Sequence, residues 1–295
     1  MNLAVVDGFE IVRVEGPADE RFQAGSVSKA IAALVALRLA AVGALDLDAD
    51  VNGRLTSWQL PDGDGVTPRH LLGHTAGLGV PFFPGYADWE AVPTLVQVLD
   101  GTPPANTAPV RVETPPGTVF AYSGGGYALV QLLVEDLSGV SFADAAAELV
   151  FEPLGMDSSS FLQRRGAWHR YPEEAAAGLW TTPSDLARFL IAVQRGAEGT
   201  ETMVVPHREL PAEGEWTLLR SFGVEPPTHM GLGLFLSDTG WFSHLGGAIG
   251  FFSGLFGSLE GGHGIVAMTA GEASPAFIER LLAVSSEHGW DGFAT

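Results

Sequence analysis

The chain has 295 residues, 46% of them hydrophobic and 17% charged, the composition of a globule with room for a sizeable core and not of a disordered chain. A formal net charge of −20 argues against nucleic acid and anionic membrane surfaces as partners. Zero cysteines exclude disulfides, thiolate catalysis and Cys-ligated zinc.

In chain order, the β-rich runs 3–6 and 10–14 around Asp7-Gly8 predict a hairpin. The start, Met1-Asn2-Leu3-Ala4-Val5-Val6-Asp7, lacks the basic and apolar segments of a signal peptide, so the expected location is cytoplasmic, or secreted if the N-terminus has been trimmed. The apolar run 30–42 is broken by Arg38 and ended by Gly43, short of the roughly 18 residues of a membrane span, and predicts a buried core helix.

Gly25-Ser26-Val27-Ser28-Lys29 opens that run. Ser26 and Lys29 stand three apart, so in a helix their hydroxyl and amine share one face. A serine hydroxyl needs a base to become a nucleophile, and a lysine serves once burial lowers its pKa. The helix start also favours negative charge developing at Ser26. Lys29 is the only lysine in the chain; the other basic residues are arginines, which stay protonated.

Thr67-Pro68 predicts a short helix with Thr67 as its cap and Pro68 in the first turn. Residues 79–89 form a loop dense in aromatics, including Phe82, Phe83, Tyr86 and Trp89, that either lines a pocket or caps the core; Phe82, Tyr86, Trp89 and Trp180 are the candidate pocket residues. Residues 103–116 read as an extended proline-rich connection. A helix is expected over 127–137, another over 143–150 capped by Ser141, and a third from Thr182 to about residue 194. Residues 196–228 carry no assignable element. Gly-punctuated strands are expected at 231–237, 241–244, 251–256 and 264–269, and a last helix at 275–287.

Two further stretches carry candidate chemistry. Tyr122-Ser123-Gly124-Gly125-Gly126 lacks the Gly-Lys-Ser/Thr of a phosphate loop and the strand and acidic partner of a dinucleotide site, which leaves either a structural turn or a tyrosine presented on one. His244-Leu245-Gly246-Gly247 is either a strand-edge bend or a place where backbone N–H groups meet a substrate carbonyl. His70 and His74 have the helical ligand spacing but lack the glutamate of H-E-x-x-H, so no metal is assigned. The G-x-S-x-G of an α/β-hydrolase is missing too.

Taken in order, Ser26-x-x-Lys29, Tyr122-Ser123-Gly124 and His244-Leu245-Gly246 resemble the three motifs of the penicillin-recognising serine hydrolases, in the branch of class C β-lactamases, DD-peptidases and family VIII esterases. The stretches 22–26, 67–78, 116–118, 152–156 and 177–186 share the likeness, which therefore runs over nearly the whole chain. The resemblance implies an α+β fold: an antiparallel sheet built from both chain ends and flanked by helices (1–48 and 226–295), a mostly helical insert (49–225), and a site between them. It implies that Ser26 is acylated, that Lys29 and Tyr122 share its proton, that His244 orients Tyr122 and substrate, and that the N–H groups of Ser26 and Gly247 form the oxyanion hole. No cofactor is implied, and the expected partner is a small-molecule acyl substrate.

Two departures bear on specificity. Relatives usually carry Asn where this chain has Gly124, and Lys where it has His244; the first change removes an anchor for peptide-like substrates and the second a fixed positive charge. The expected function is a serine hydrolase of small esters or related acyl compounds, including acyl transfer. A D-amino-acid peptidase, amidase or β-lactamase of the same family, or a non-catalytic ligand-binding protein on this fold, are the alternatives.

Overall fold

A computed structural model describes residues 1–162, 169–211, 226–271 and 274–290. The chain opens with the antiparallel strands β1 (Asn2–Asp7) and β2 (Glu10–Glu15). Gly8 and Phe9 both have positive φ, 58° and 65°, as a two-residue turn matching the strand twist requires. After β3 (Phe22–Gln23), a single 3₁₀ turn over Gly25–Val27 leads into α1 (Ser28–Ala41).

Helix α1 is buried on every side from Ser28 to Leu37, which is why its sequence is apolar throughout and not amphipathic. It stops where Gly43 takes φ 76° and the N–H groups of Gly43 and Ala44 return to the carbonyls of Ala40 and Leu39.

The middle of the chain supplies α2 (Pro68–Leu72), β4 (Tyr86–Ala87), α3 (Leu95–Asp100), α4 (Gly124–Ser138), α5 (Phe142–Ala146), α6 (Glu152–Leu154), β5 (His169–Arg170), α7 (Glu174–Ala177), β6 (Trp180–Thr181) and α8 (Pro183–Gln194). The expected caps are present: the side chains of Thr67, Ser141 and Thr182 accept from the N–H groups of His70, Asp144 and Asp185. Helix α4 begins three residues earlier than expected, on the glycines themselves, because Ser123 Oγ accepts from Gly126 N at 2.9 Å. The helix expected over 143–150 is α5 followed by a π turn, Ala147–Phe151, running into α6. Part of 196–228 lies outside the described residues; the described part contributes β7 (Arg208–Glu209).

The strands β8 (His229–Met230), β9 (Phe235–Leu236), β10 (Trp241–Ala248), β11 (Phe251–Ser258) and β12 (Gly264–Ala270), then α9 (Pro275–His288), complete the fold. The run 231–237, read as one strand, is the turn and second arm of a hairpin, since Gly231 N donates to Leu234 O and Gly233 takes φ 89°. One sheet has the order β2-β1-β12-β11-β10-β9-β8-β7, antiparallel throughout. The fold is thus α+β, with strands from both chain ends in one sheet.

Strand β1 lies inside that sheet and is buried on both faces. Ala4 and Val6 join the large core that includes α1 and the α8 residues Leu186, Phe189 and Leu190, while Leu3 and Val5 join a second core with Phe277, Ile278 and Leu281 of α9. The period-2 alternation of a strand feeds both layers at once. No described helix is long and apolar enough to cross a membrane.

Candidate active site

The buried helix α1 forces an amine into the core. Lys29 is 2% exposed, and its Nζ donates to Ser26 Oγ at 3.2 Å and to the Ala176 carbonyl of α7 at 2.8 Å. Burial pulls its pKa down to about 7. The same Nζ stands 5.1 Å from the ring centre of Tyr122 and 5.8 Å from that of Tyr127. A hydroxyl, an amine that is largely neutral just above neutral pH, and a phenol ring therefore share one small volume.

Close backbone approaches hold Ser26 against the sheet. Gly25 takes φ 51°, and a Cβ there would fall 2.5 Å from Gly247 O. A Cβ on Gly246 would fall 1.9 Å from Ala24 O. Ser253, opposite Gly246 in the β10–β11 register, donates its hydroxyl to Ala24 O at 2.8 Å. The glycines of the third motif thus serve a real need: β10 presses its backbone onto the serine turn.

His244, on the same strand, is 1% exposed. Its Nδ1–H donates to Leu245 O at 2.7 Å, and burial, then the nearby Lys29 charge, lowers its pKa to about 3. It is therefore neutral and supplies no fixed positive charge. Gly124 has little space for a side chain, since a Cβ would meet Phe83 Cε2 and Pro81 O, each at 3.0 Å. Both departures from the motif pattern are built into the packing.

The pocket candidates separate. Phe82 packs on Tyr122 with ring centres 5.7 Å apart and is 58% exposed. Trp180 packs edge-on against Phe251 at 5.5 Å and pairs with Gln23 through β3–β6. Tyr86 is buried with its hydroxyl accepting from Asn106 N at 3.0 Å, and Trp89 is 87% exposed.

Two residues of this region escape sequence reasoning. His74, read only against a metal motif, is 1% exposed and lies with its ring centre 4.3 Å from that of Tyr122. Glu173 stands immediately before α7, the helix that receives the Lys29 amine, and is fully buried, with carboxylate oxygens that meet no hydrogen-bond partner among the described residues. Nothing in a Glu-Glu pair announces burial. Its position two residues before the apolar Ala175-Ala176-Ala177 is the available signal.

Burial raises the Glu173 pKa to about 7, so the fold favours the neutral acid. An unfolded carboxyl ionises from about pH 4.5 upward, so the stability this acid lends is full below that value and is lost as pH rises through about 7. Glu173→Gln is therefore expected to match the parent protein near pH 4 and to exceed it at pH 8 by about 3 kcal/mol, read from denaturant melts at both pH values.

A serine hydroxyl 3.2 Å from a buried amine whose pKa is lowered to about 7 is an arrangement that can support nucleophilic catalysis. Residues 1–286 match the Beta-lactamase family, and the chain belongs to that family, whose members are generally serine hydrolases. It is 32% identical over 170 residues to penicillin-binding protein 4 of Amycolatopsis lactamdurans, covering 56% of this chain and 42% of that protein. It is 34% identical over 155 residues to esterase EstB of Burkholderia gladioli, covering 49% of this chain and 39% of the esterase. These matches span less than half the length of either relative. In fold it is similar to the octameric penicillin-binding protein homologue from Pyrococcus abyssi, with a TM-score of 0.77, 21% identity, and coverage of 98% of this chain and 73% of that one.

Proposed function

We propose that this protein is a serine hydrolase that forms an acyl-enzyme on Ser26 and acts on small, uncharged esters or related acyl compounds. The observation that carries the reading is the buried Lys29 amine, its pKa lowered to about 7, within 3.2 Å of Ser26 Oγ. In the forward step Lys29 takes the Ser26 proton as Oγ bonds to the acyl carbon, and the N–H groups of Ser26 and Gly247 receive the carbonyl oxygen as it becomes negative. Tyr122 delivers a proton to the departing alkoxide. In the second step the Tyr122 phenolate takes a proton from the attacking water, and Lys29 returns its proton to Ser26 Oγ as the acid departs.

Substrate preference follows from charge. Both buried histidines are held neutral and Gly124 bears no amide, so His244 offers a substrate carboxylate no fixed cation and position 124 offers an acylamino group no side-chain anchor. The exposed Phe82 ring beside Tyr122 favours an apolar acyl group instead. The similarity to an esterase supports this choice, and the similarity to a penicillin-binding protein makes a β-lactam the natural comparison.

The test is turnover of p-nitrophenyl butyrate and of a chromogenic cephalosporin by the parent protein and by Ser26→Ala. Ester hydrolysis at least about 100-fold more efficient than lactam hydrolysis, and absent from Ser26→Ala, is the expected result. Equal ester turnover by Ser26→Ala removes the proposal.

A further inference from the structure

We propose that His74 is a positioning residue of this site, holding the tyrosine of the second motif by its ring, its Nδ1 and its own carbonyl. The inference rests on the acyl-enzyme reading above, because it gives His74 no chemistry except through Tyr122.

Three contacts meet on one short segment. The N–H of Ala121 donates to His74 O at 2.8 Å, and the N–H of Ser123 donates to His74 Nδ1 at 3.1 Å. The residues on both sides of Tyr122 are thus tied to the same histidine. The imidazole also lies over the phenol ring, with centres 4.3 Å apart and planes inclined by 32°. Phe235 stacks on Tyr122 at 6.4 Å and Phe82 lies against it at 5.7 Å, so the phenol is confined by rings as well as by its backbone.

The backbone of His74 is unusual in a way that serves this clamp. It takes φ 54°, a left-handed conformation that non-glycine residues seldom adopt and that costs about 1–2 kcal/mol. It does so directly after α2, with Gly73 N still bonded to Arg69 O, so the chain turns sharply and drives a 1% exposed side chain towards the site. Strain kept at a buried polar residue beside the reacting groups is the pattern of a functional constraint.

The clamp also fixes the ring's protonation. A nitrogen that accepts from Ser123 carries no proton, so the neutral ring holds its hydrogen on Nε2. Burial, together with Lys29 and His244 nearby, keeps His74 neutral well below its ordinary range, and the Ser123 bond therefore persists across the working pH of the site.

The experiment compares kcat and KM for p-nitrophenyl butyrate, and the lifetime of the butyryl group on Ser26 by intact mass, in the parent, His74→Phe, His74→Asn, Tyr122→Phe and the double variant His74→Phe with Tyr122→Phe. Phenylalanine keeps a ring and loses the acceptor, whereas asparagine tolerates the left-handed backbone and places Oδ1 close to the position of Nδ1. The expected result for His74→Phe is a fall in kcat of about 10- to 100-fold with KM little changed and a longer-lived butyryl-enzyme, with His74→Asn within about fivefold of the parent. In the Tyr122→Phe background the same His74 change is expected to cost nothing more.

A folded His74→Phe with parental kcat, or a loss that is fully additive with Tyr122→Phe, overturns the clamp and leaves the acyl-enzyme reading standing. A Tyr122→Phe variant with parental kcat and acyl-enzyme lifetime takes Tyr122 out of the chemistry and overturns the clamp with it, whereas the acyl-enzyme reading itself falls only if no butyryl group forms on Ser26. A measurement on the parent protein stands apart from the folding of any variant: nitrogen NMR of the His74 ring is expected to show Nδ1 unprotonated and Nε2 protonated from pH 5 to 8, and a protonated Nδ1 overturns the proposal.

Discussion

Lys29→Met is expected to abolish acylation of Ser26 and at the same time to make the protein more stable at pH 6. The loss of rate follows from removing the base: a fall of about a thousandfold or more in kcat/KM is expected, since a serine without its activating partner is nearly inert. The gain in stability follows from the same burial that makes the amine useful. The unfolded lysine stays protonated up to about pH 10.5, while the folded one loses its proton near 7, so between those values the unfolded chain binds more protons and stability rises with pH. Below about pH 7 the whole cost of a buried ammonium is present, on the order of 4 kcal/mol.

Methionine removes that cost but leaves the Ala176 carbonyl without its donor, which takes back about 1–2 kcal/mol. A net gain of about 2 kcal/mol at pH 6, shrinking towards pH 10, is expected from denaturant melts of the two proteins. In the parent, kcat/KM is expected to climb about tenfold per pH unit below 7 and to level off above 8, because only the neutral amine accepts a proton.

Gly246→Ala is expected to be nearly as damaging, by a different route. Its added carbon would lie 1.9 Å from Ala24 O and 3.0 Å from Val27 N, both backbone atoms of the turn that carries Ser26. Neither can step aside as a flexible side chain would, so β10 and the serine turn must separate. Overpacking of this kind costs about 1–3 kcal/mol, and a displacement of about 1 Å at the reacting atoms costs about 100-fold in rate. Thermal melts and ester turnover measured together are expected to show both losses. Gly247→Ala, where a Cβ meets nothing within 4 Å, is the control and is expected to retain its stability.

What the sequence discloses of this fold is mostly local. Thr67, Ser141 and Thr182 announce their helices because a side-chain acceptor must lie beside the N–H it satisfies, and spacing of that kind is visible in a string of letters. Ser26 and Lys29 belong to the same class, three residues apart along a turn and a helix start. The tyrosine and histidine motifs could be named only through resemblance, because their meeting with Lys29 depends on packing α4 and β10 around α1.

Tertiary context decides the remainder. The run 231–237 is bent into a hairpin by a left-handed Gly233, although its composition reads as one strand. The π turn Ala147–Phe151 leaves no mark distinguishable from an ordinary helix. His74 and Glu173 are polar residues whose burial is imposed by neighbours distant in sequence, so neither periodicity nor spacing points to them.

Covalent labelling by a fluorophosphonate followed by peptide mapping tests the nucleophilic role of Ser26 most directly. A single phosphonyl group on Ser26 is expected, formed in the parent at a rate that rises with pH through about 7 and lost in Lys29→Met. A group found instead on Ser28 or Ser123, or a folded protein that takes up no label at any pH, would contradict that role.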